Sequence, residues 1–217
     1  MVDNIGNNQT GISKEKTMEP GLIQSTDEEQ DNVFSDFAES MKYSCVDHVK
    51  DYGLTLLHCA AGLGKIEIVK SLVDAGENVN MKSKYGSTPL HEAAGCTSIE
   101  VFKFLVEAGA DVNAENDDDD TPLHEAACCG NVEFAKFLVE VGVDVNARNI
   151  FGDTPLHGAA YWGQVKMVKF LVEAGADHTR TCEGETPLDI AKGNGNTAVV
   201  AYLENIGAKS RESAPQA

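Results

Sequence analysis

Apolar residues recur at helical spacing along most of the chain. In residues 99–108, Val101, Phe102 and Leu105 fall on one side of a predicted helix. Gly109 follows, and glycine commonly supplies the left-handed residue at which a helix stops. The same face recurs in four other segments as Ile68 and Leu72, Phe134 and Leu138, Met167 and Leu171, and Val199 and Leu203. We expect these residues to form the core.

A shorter helix is predicted before each of these longer ones. Thr88 can cap a helix that Pro89 begins, because proline at the first helical position gives up no needed hydrogen-bond donor. This helix should end near Gly95. Its starting string, Thr-Pro-Leu-His at residue 88, returns 33 residues later at 121 and again at 154. Variants begin at 55 (Thr-Leu-Leu-His) and at 186 (Thr-Pro-Leu-Asp).

A fixed period of this length indicates a stack of similar units, in which each unit buries its apolar face against its neighbours. Five units fill residues 51–208, and we place them at 51–83, 84–116, 117–149, 150–181 and 182–208. Each longer helix is followed by a polar segment and a turn, which favours an extended loop. We call these segments finger loops; they cover residues 77–87, 110–120, 143–153 and 176–185.

The repeated unit resembles the ankyrin repeat. Besides the Thr-Pro-Leu-His string, the units share alanines after the histidine, as in Ala93-Ala94. They also share a closing string, best seen as Ala-Gly-Ala-Asp-Val-Asn-Ala at residues 108–114. The resemblance implies an all-α solenoid of helix-turn-helix pairs with β-hairpin-like finger loops. It further implies a concave groove lined by the finger tips and the ends of the first helices.

Three residues depart from the repeated pattern. Leu56 replaces the proline in the first unit, and Thr97 replaces the glycine that follows the first helix elsewhere. Asp119 occupies a turn position that is glycine in the other units. A residue other than glycine at positive φ costs about 1 kcal/mol, and less for aspartate than for most. We therefore expect Asp119 to weaken its finger loop.

The segments outside the five units differ in character. Residues 1–32 are polar and aperiodic, and we expect disorder there. In residues 33–50, apolar residues such as Phe34, Phe37 and Met41 recur at three- and four-residue steps. This segment is predicted to be either a helix that caps the first unit or a degenerate half-repeat. Residues 209–217 are expected to form a flexible tail.

The charge of the chain narrows the class of partner, and its cysteine content narrows the cellular compartment. The chain has 17 basic and 35 acidic residues and a formal net charge of −18, which disfavours nucleic acid and anionic membrane as partners. The run Asp117–Asp120 lacks the glycine and the distal glutamate of a calcium loop, so we expect a solvated loop tip or a contact with a basic partner. Six cysteines without a disulfide framework, and the lack of an apolar N-terminal stretch, favour the cytoplasm or nucleus.

No set of residues predicts an active site. One histidine recurs in the same local frame of four units, as His58, His91, His124 and His157. These side chains should lie in a row and cannot converge on one substrate atom, so we expect them to be structural and to bond the backbone of a neighbouring unit. Cys128 and Cys129 lack the two-residue gap of zinc knuckles. We expect no enzyme activity, no metal and no cofactor.

Function is therefore sought at positions where the units differ. The resemblance places such residues in the groove, and those that we assign to partner binding are Tyr52, Lys84, Tyr85, Asp117, Asp118, Asp120, Arg148, Ile150, Phe151, Asp153, Tyr161 and Trp162. The fourth unit holds the only tryptophan, and aromatic residues dominate interface energies. The alternative for Tyr161 and Trp162 is packing against a neighbouring helix. We predict a monomer that binds a protein or peptide of basic and apolar character.

Two other functions also fit the sequence. Asn80, Asn113 and Asn146 occupy the finger position that asparaginyl hydroxylases modify in ankyrin proteins, so the resemblance implies a possible enzyme substrate. In the other alternative, the N-terminal segment is the functional element and the array is only its tether. The family also includes proteins that bacteria secrete into eukaryotic cells, which would place the chain in the host cytosol.

Overall fold

A computed structural model describes residues 52–95 and 98–208 of the 217-residue chain. The expectations for residues 1–32, 33–50 and 209–217 lie outside these ranges, as does the departure at Thr97.

Ten helices follow one another in five pairs within the described ranges. The first helices of the pairs are α1 (Leu56–Gly62), α3 (Pro89–Ala94), α5 (Pro122–Cys129), α7 (Pro155–Tyr161) and α9 (Pro187–Gly193). The second helices are α2 (Ile66–Asp74), α4 (Ile99–Glu107), α6 (Val132–Glu140), α8 (Val165–Glu173) and α10 (Thr197–Asn205). These residues form no β-strand beyond one isolated bridge between Cys182 and Glu185. The predicted all-α solenoid is confirmed.

The first helices begin where the sequence predicts. Pro89, Pro122, Pro155 and Pro187 each occupy the first turn, and the preceding threonine is the N-cap residue with extended backbone. Leu56 takes the place of proline in α1, yet this helix begins at the same point of the unit. The remaining signal is Thr55, whose backbone N–H donates to Nδ1 of His58 at 3.1 Å. Proline is therefore not required to set the start of the helix.

The core runs along the stack in two layers. First helices pack on first helices of neighbouring units, and second helices pack on second helices. All of the apolar positions predicted for the core are buried: Ile68, Leu72, Val101, Phe102, Leu105, Phe134, Leu138, Met167, Leu171, Val199 and Leu203. Phe102 and Phe134 meet edge to face with ring centroids 3.8 Å apart, which joins units two and three.

Each finger loop is closed by a backbone hydrogen bond and joined to the next. The closing bonds run from Asn116 N to Asp120 O and from Asn149 N to Asp153 O, both at 3.0 Å. Adjacent fingers are linked because the N–H of Asp117 donates to the carbonyl of Tyr85, again at 3.0 Å. The fingers are hairpin-like turns that stack in register, which fixes the direction of the residues at their tips.

Two of the finger turns contain a residue other than glycine at positive φ. Asp119 has φ of 58°, so it does adopt the left-handed conformation expected at this position. Glu183 also has positive φ, at 50°, which the repeat pattern does not predict. The last finger is one residue shorter, and Cys182 and Glu185 exchange two backbone bonds around Glu183-Gly184. A two-residue loop with positive φ at both positions is the turn that matches the twist of paired strands.

Candidate functional site

The repeated histidines link each unit to the next. Nε2 of His58 lies 2.9 Å from the carbonyl oxygen of Ser87, and Nε2 of His91 lies 3.0 Å from that of Asp120. The corresponding distance from His124 to Asp153 is 3.3 Å. All four histidines accept the N–H of the threonine three residues earlier at Nδ1, at 3.1 Å. The hydrogen therefore resides on Nε2, which donates to the next unit.

His157 makes the same link in a modified form. Its Nε2 lies 3.1 Å from the carbonyl oxygen of Arg180, in the middle of the last finger loop. In the fifth unit the histidine is replaced by Asp189, whose carboxylate accepts the Thr186 N–H at 2.9 Å and the Thr186 hydroxyl at 2.7 Å. Asp189 thus keeps the bonds inside the unit but offers no donor onward.

The histidine environment stabilises the neutral imidazole. Burial lowers the pKa of His58, His91, His124 and His157 below the ordinary histidine value. The carbonyls that accept from Nε2 oppose this effect, as does the Asp120 carboxylate near His124. Protonation of Nδ1 would also remove the acceptor of the threonine N–H. These side chains are engaged on both ring nitrogens within the protein.

Four of the exposed aromatic residues form two clusters in the part of the chain that the structure describes. The ring centroids of Tyr52 and Tyr85 lie 5.6 Å apart, and Nζ of Lys84 lies 5.6 Å from the Tyr85 centroid. Tyr161 and Trp162 meet edge to face, with centroids 5.2 Å apart and planes at 77°. Their exposed fractions are 52 % and 62 %, so neither ring is buried in the core.

Other predicted residues of the groove lie on finger tips. Ile150 and Phe151 are exposed at the tip of the fourth unit's finger, 55 % and 56 % accessible. The side chains of Asp117 and Asp118 are exposed on the preceding finger, and the carbonyl of Asp118 accepts the N–H of Ile150 at 3.0 Å. The guanidinium of Arg148 is turned toward the last finger, where Nη2 donates to the Thr181 carbonyl at 3.2 Å.

A cavity of about 240 Å³ lies where the finger loops of units three and four meet helices α5 and α7. Its walls include Asp120, His124, Cys128, Asn149, Asp153, His157, Gly158, Tyr161, Trp162 and Ile190. Four of the residues assigned to partner binding therefore surround one opening: two carboxylates and two aromatic rings. Tyr52, Lys84, Tyr85, Asp117, Asp118, Arg148, Ile150 and Phe151 lie outside it.

Two family models match the chain. One, described as ankyrin repeats (3 copies), matches residues 31–116 and 123–212, and another, described as ankyrin repeats (many copies), matches residues 97–139. The chain belongs to the ankyrin-repeat family. Ankyrin repeats are generally protein–protein interaction modules, and the family is typically non-catalytic. No curated protein matches the chain.

Gly158 opens the cavity by departing from the neighbouring ankyrin units. The residue after the histidine is Glu92 in unit two and Glu125 in unit three, but it is Gly158 in unit four. A Cβ atom at Gly158 would lie only 2.9 Å from Sγ of Cys128. The cysteine thus uses part of the space that a side chain at Gly158 would need, and the remainder stays open. The repeat pattern alone did not single out Gly158 as a groove residue.

Two glutamates and a cysteine on helices α3 and α5 have shifted pKa values. Burial raises the pKa of Glu92, and burial together with the Asp120 and Glu92 carboxylates raises that of Glu125. Burial also raises the pKa of the Cys128 thiol to about 12, with the indole N–H of Trp162 acting in the opposite direction as a hydrogen-bond donor. Cys128 is therefore an unreactive thiol in the wall of the cavity.

The finger-loop asparagines are held unequally in this ankyrin array. Nδ2 of Asn80 donates to the Gly109 carbonyl at 2.9 Å, and Oδ1 accepts the Asp111 N–H at 2.8 Å. Asn146 makes the same pair of contacts with Gly175 and Asp177. Asn113 is exposed, and its amide side chain makes neither of these contacts with the described residues of the next unit.

Two further properties apply to the described residues alone. Residues 52–95 and 98–208 contain no helix whose length and apolar character suit a membrane span. In the same ranges no three histidine, cysteine or acidic side chains are grouped closely enough to hold a metal ion.

Proposed function

We propose that the chain is a non-catalytic interaction module that holds a protein or peptide segment of basic and apolar character in the groove between its finger loops and first helices. One observation carries this proposal: Tyr161 and Trp162 are both more than half exposed beside an open cavity that also has Asp120 and Asp153 in its walls. Exposed aromatic residues clustered around a cavity favour a binding surface, because their burial by a partner is a large source of affinity.

The whole-chain charge supports the same class of partner. A formal net charge of −18 attracts a basic segment and repels nucleic acid and anionic lipid. The protein is proposed to act as a monomeric scaffold, adaptor or inhibitor without a cofactor. Its proposed location is the cytoplasm or nucleus, or the host-cell cytosol if it is a bacterial effector.

Affinity capture from cytosolic extract tests the proposal. The intact protein is compared with a Tyr161→Ala, Trp162→Ala double variant, and circular dichroism checks that both are folded. We expect a partner that the intact protein retains and the double variant loses, because truncating interface aromatics commonly costs about 2 kcal/mol or more.

A control variant tests whether binding is lost specifically at the groove or on truncation of any exposed apolar side chain. Val141 is exposed at the end of α6 and lies outside the cavity, so Val141→Ala should retain the partner. Equal capture by the intact protein and the double variant would show that the aromatic cluster does not bind the partner.

Modification by an asparaginyl hydroxylase is the second candidate function, and Asn113 is its favoured site. The amide of Asn113 lacks the two contacts to the next unit that hold Asn80 and Asn146, so an enzyme would break fewer bonds to reach it. We expect a mass increase of one oxygen on the peptide containing Asn113 in a host that has such an enzyme. Asn80 serves as the internal control, and an unmodified Asn113 in that host would exclude this function.

A further inference from the structure

We propose that the cavity between units three and four receives the guanidinium group of an arginine side chain from the bound segment. This inference rests on the proposed function and adds the identity of the anchoring residue. The volume, the charge and the shape of the cavity each favour this side chain.

The volume favours one side chain over a small molecule. Sites for drug-sized ligands usually occupy about 300–1,000 Å³, whereas this cavity has about 240 Å³. It is also open to the groove along which a peptide would lie, since its walls come from the finger loops and from α5 and α7. A long side chain can enter from a backbone that stays in the groove.

The charge favours a cation. Asp120 is held by the neighbouring finger, because Nδ2 of Asn149 donates to its Oδ1 at 2.9 Å. Asp153 lies across the cavity on the next finger. The ion pairs formed among the described residues involve neither aspartate. The nearby cation of the chain, Arg148, directs its guanidinium to the Thr181 carbonyl. Neither carboxylate therefore has a cationic partner among the described residues.

The shape favours arginine over lysine. The Trp162 and Tyr161 rings meet edge to face, and both line the cavity together with the carboxylates. A planar guanidinium can stack on an aromatic face while its N–H groups bond a carboxylate. An ammonium group is a point charge with stronger hydration and cannot make both contacts as well.

Among the units that the structure describes, only unit four has a glycine at the position of Gly158. Glu92 and Glu125 place a side chain at the point where Gly158 has none. The anchor is therefore expected at units three and four, and the flanking peptide residues lie toward the Tyr52 and Tyr85 cluster or toward the last finger.

Selection from random peptides displayed on phage tests the inference with the full chain as bait. We expect the selected peptides to share an arginine at one position. Trp162 is the only tryptophan, so its fluorescence reports on the cavity directly when a selected peptide is titrated. Replacing the shared arginine by alanine should weaken binding roughly tenfold or more, and replacing it by lysine should weaken binding by less but measurably.

A double-mutant cycle then assigns the contact. Asp153→Asn should weaken binding of the arginine peptide by about tenfold and leave binding of the alanine-substituted peptide nearly unchanged. Glu140→Gln removes the same charge from an exposed site at the end of α6. It should change the affinities of both peptides slightly and by the same factor. The peptide substitutions leave the protein intact, so they remain decisive if Asp153→Asn unfolds.

The outcomes separate the two proposals. Peptides that bind the groove and perturb Trp162 without any preference for arginine, or with equal preference for lysine, overturn the arginine anchor while the proposed function stands. A failure to select any binding peptide contradicts the proposed function and, with it, the anchor.

Discussion

His58, His91, His124 and His157 are each committed to one protonation state by their hydrogen bonds. Nδ1 accepts within the unit and Nε2 donates to the next, so only the neutral ring satisfies both contacts. Asp189 performs the first of these tasks with a carboxylate, which shows that the contacts within a unit and between units are chemically separable. A histidine supplies both from one side chain.

Acid should destabilise the fold through these histidines. Their pKa is lowered by burial in the folded state, whereas the unfolded value is about 6.5. The unfolded chain therefore binds more protons below about pH 6.5, and the free energy of unfolding should fall as the pH drops toward the folded pKa values. The limiting slope is about 1.4 kcal/mol per pH unit for each histidine that stays neutral.

Urea unfolding between about pH 7.5 and about pH 5.5 measures this effect. Glu92 and Glu125 act in the opposite direction, because their raised pKa values favour the folded state once their carboxyl groups begin to bind protons. Their contribution grows as the pH approaches the usual carboxyl range, so the upper part of the interval is the cleaner measure of the histidines. A free energy of unfolding that is constant across the interval would contradict the prediction.

The finger turn is the element in which sequence and conformation conflict. Asp119 has positive φ and sits within a run of four aspartates. Asp119→Gly should relieve both the backbone strain and part of the charge repulsion, in excess of the added flexibility of the unfolded chain. We expect the free energy of unfolding to rise by about 0.5–1 kcal/mol and the Tm by roughly 2–4 °C.

Asp118→Gly is a matched control for this turn. It removes the same charge and adds the same flexibility, but Asp118 does not have positive φ. Thermal unfolding followed by circular dichroism should show a higher Tm for Asp119→Gly than for Asp118→Gly. Equal changes in the two variants would show that the φ angle of Asp119 carries no cost.

Most of the helices could be predicted because their signals are local and repeated. Leu56 is instructive: its departure from proline did not move the start of α1, since the Thr55–His58 contact remained. The positive φ of Glu183 escaped prediction because it follows from the removal of one residue, which changes the turn type without leaving a characteristic residue at that position.

The groove was harder to predict than the helices that support it. Tyr161 and Trp162 could be chosen from residue type, but their exposure could not, because the same residues suit a core. The cavity depends on Gly158 and Cys128, which lie in different units and matter only through their combined size. No repeat period or motif in the sequence predicts how the sizes of two residues combine when the stack brings them together.

The charge of the whole molecule should oppose its compact state. The formal net charge is −18, and the ion pairs of the described units are surface contacts, which contribute little. Raising NaCl from about 0.01 M to about 0.15 M should therefore stabilise the fold by screening repulsion. We expect roughly 1 kcal/mol, or a Tm higher by about 2–4 °C, in a thermal scan. A lower Tm at the higher salt would show that attractive ion pairs outweigh the repulsion.

Asp189 also bears on how such a chain can lengthen during evolution. A unit duplicated inside the array would carry its own histidine and would find an acceptor carbonyl on its successor, so the new junction would be complete at once. A unit joined after the fifth would face Asp189, which has no hydrogen to donate across the junction. A duplicated interior unit would thus keep this hydrogen bond at its junction, whereas a unit added after the fifth would lack it unless Asp189→His restored the donor.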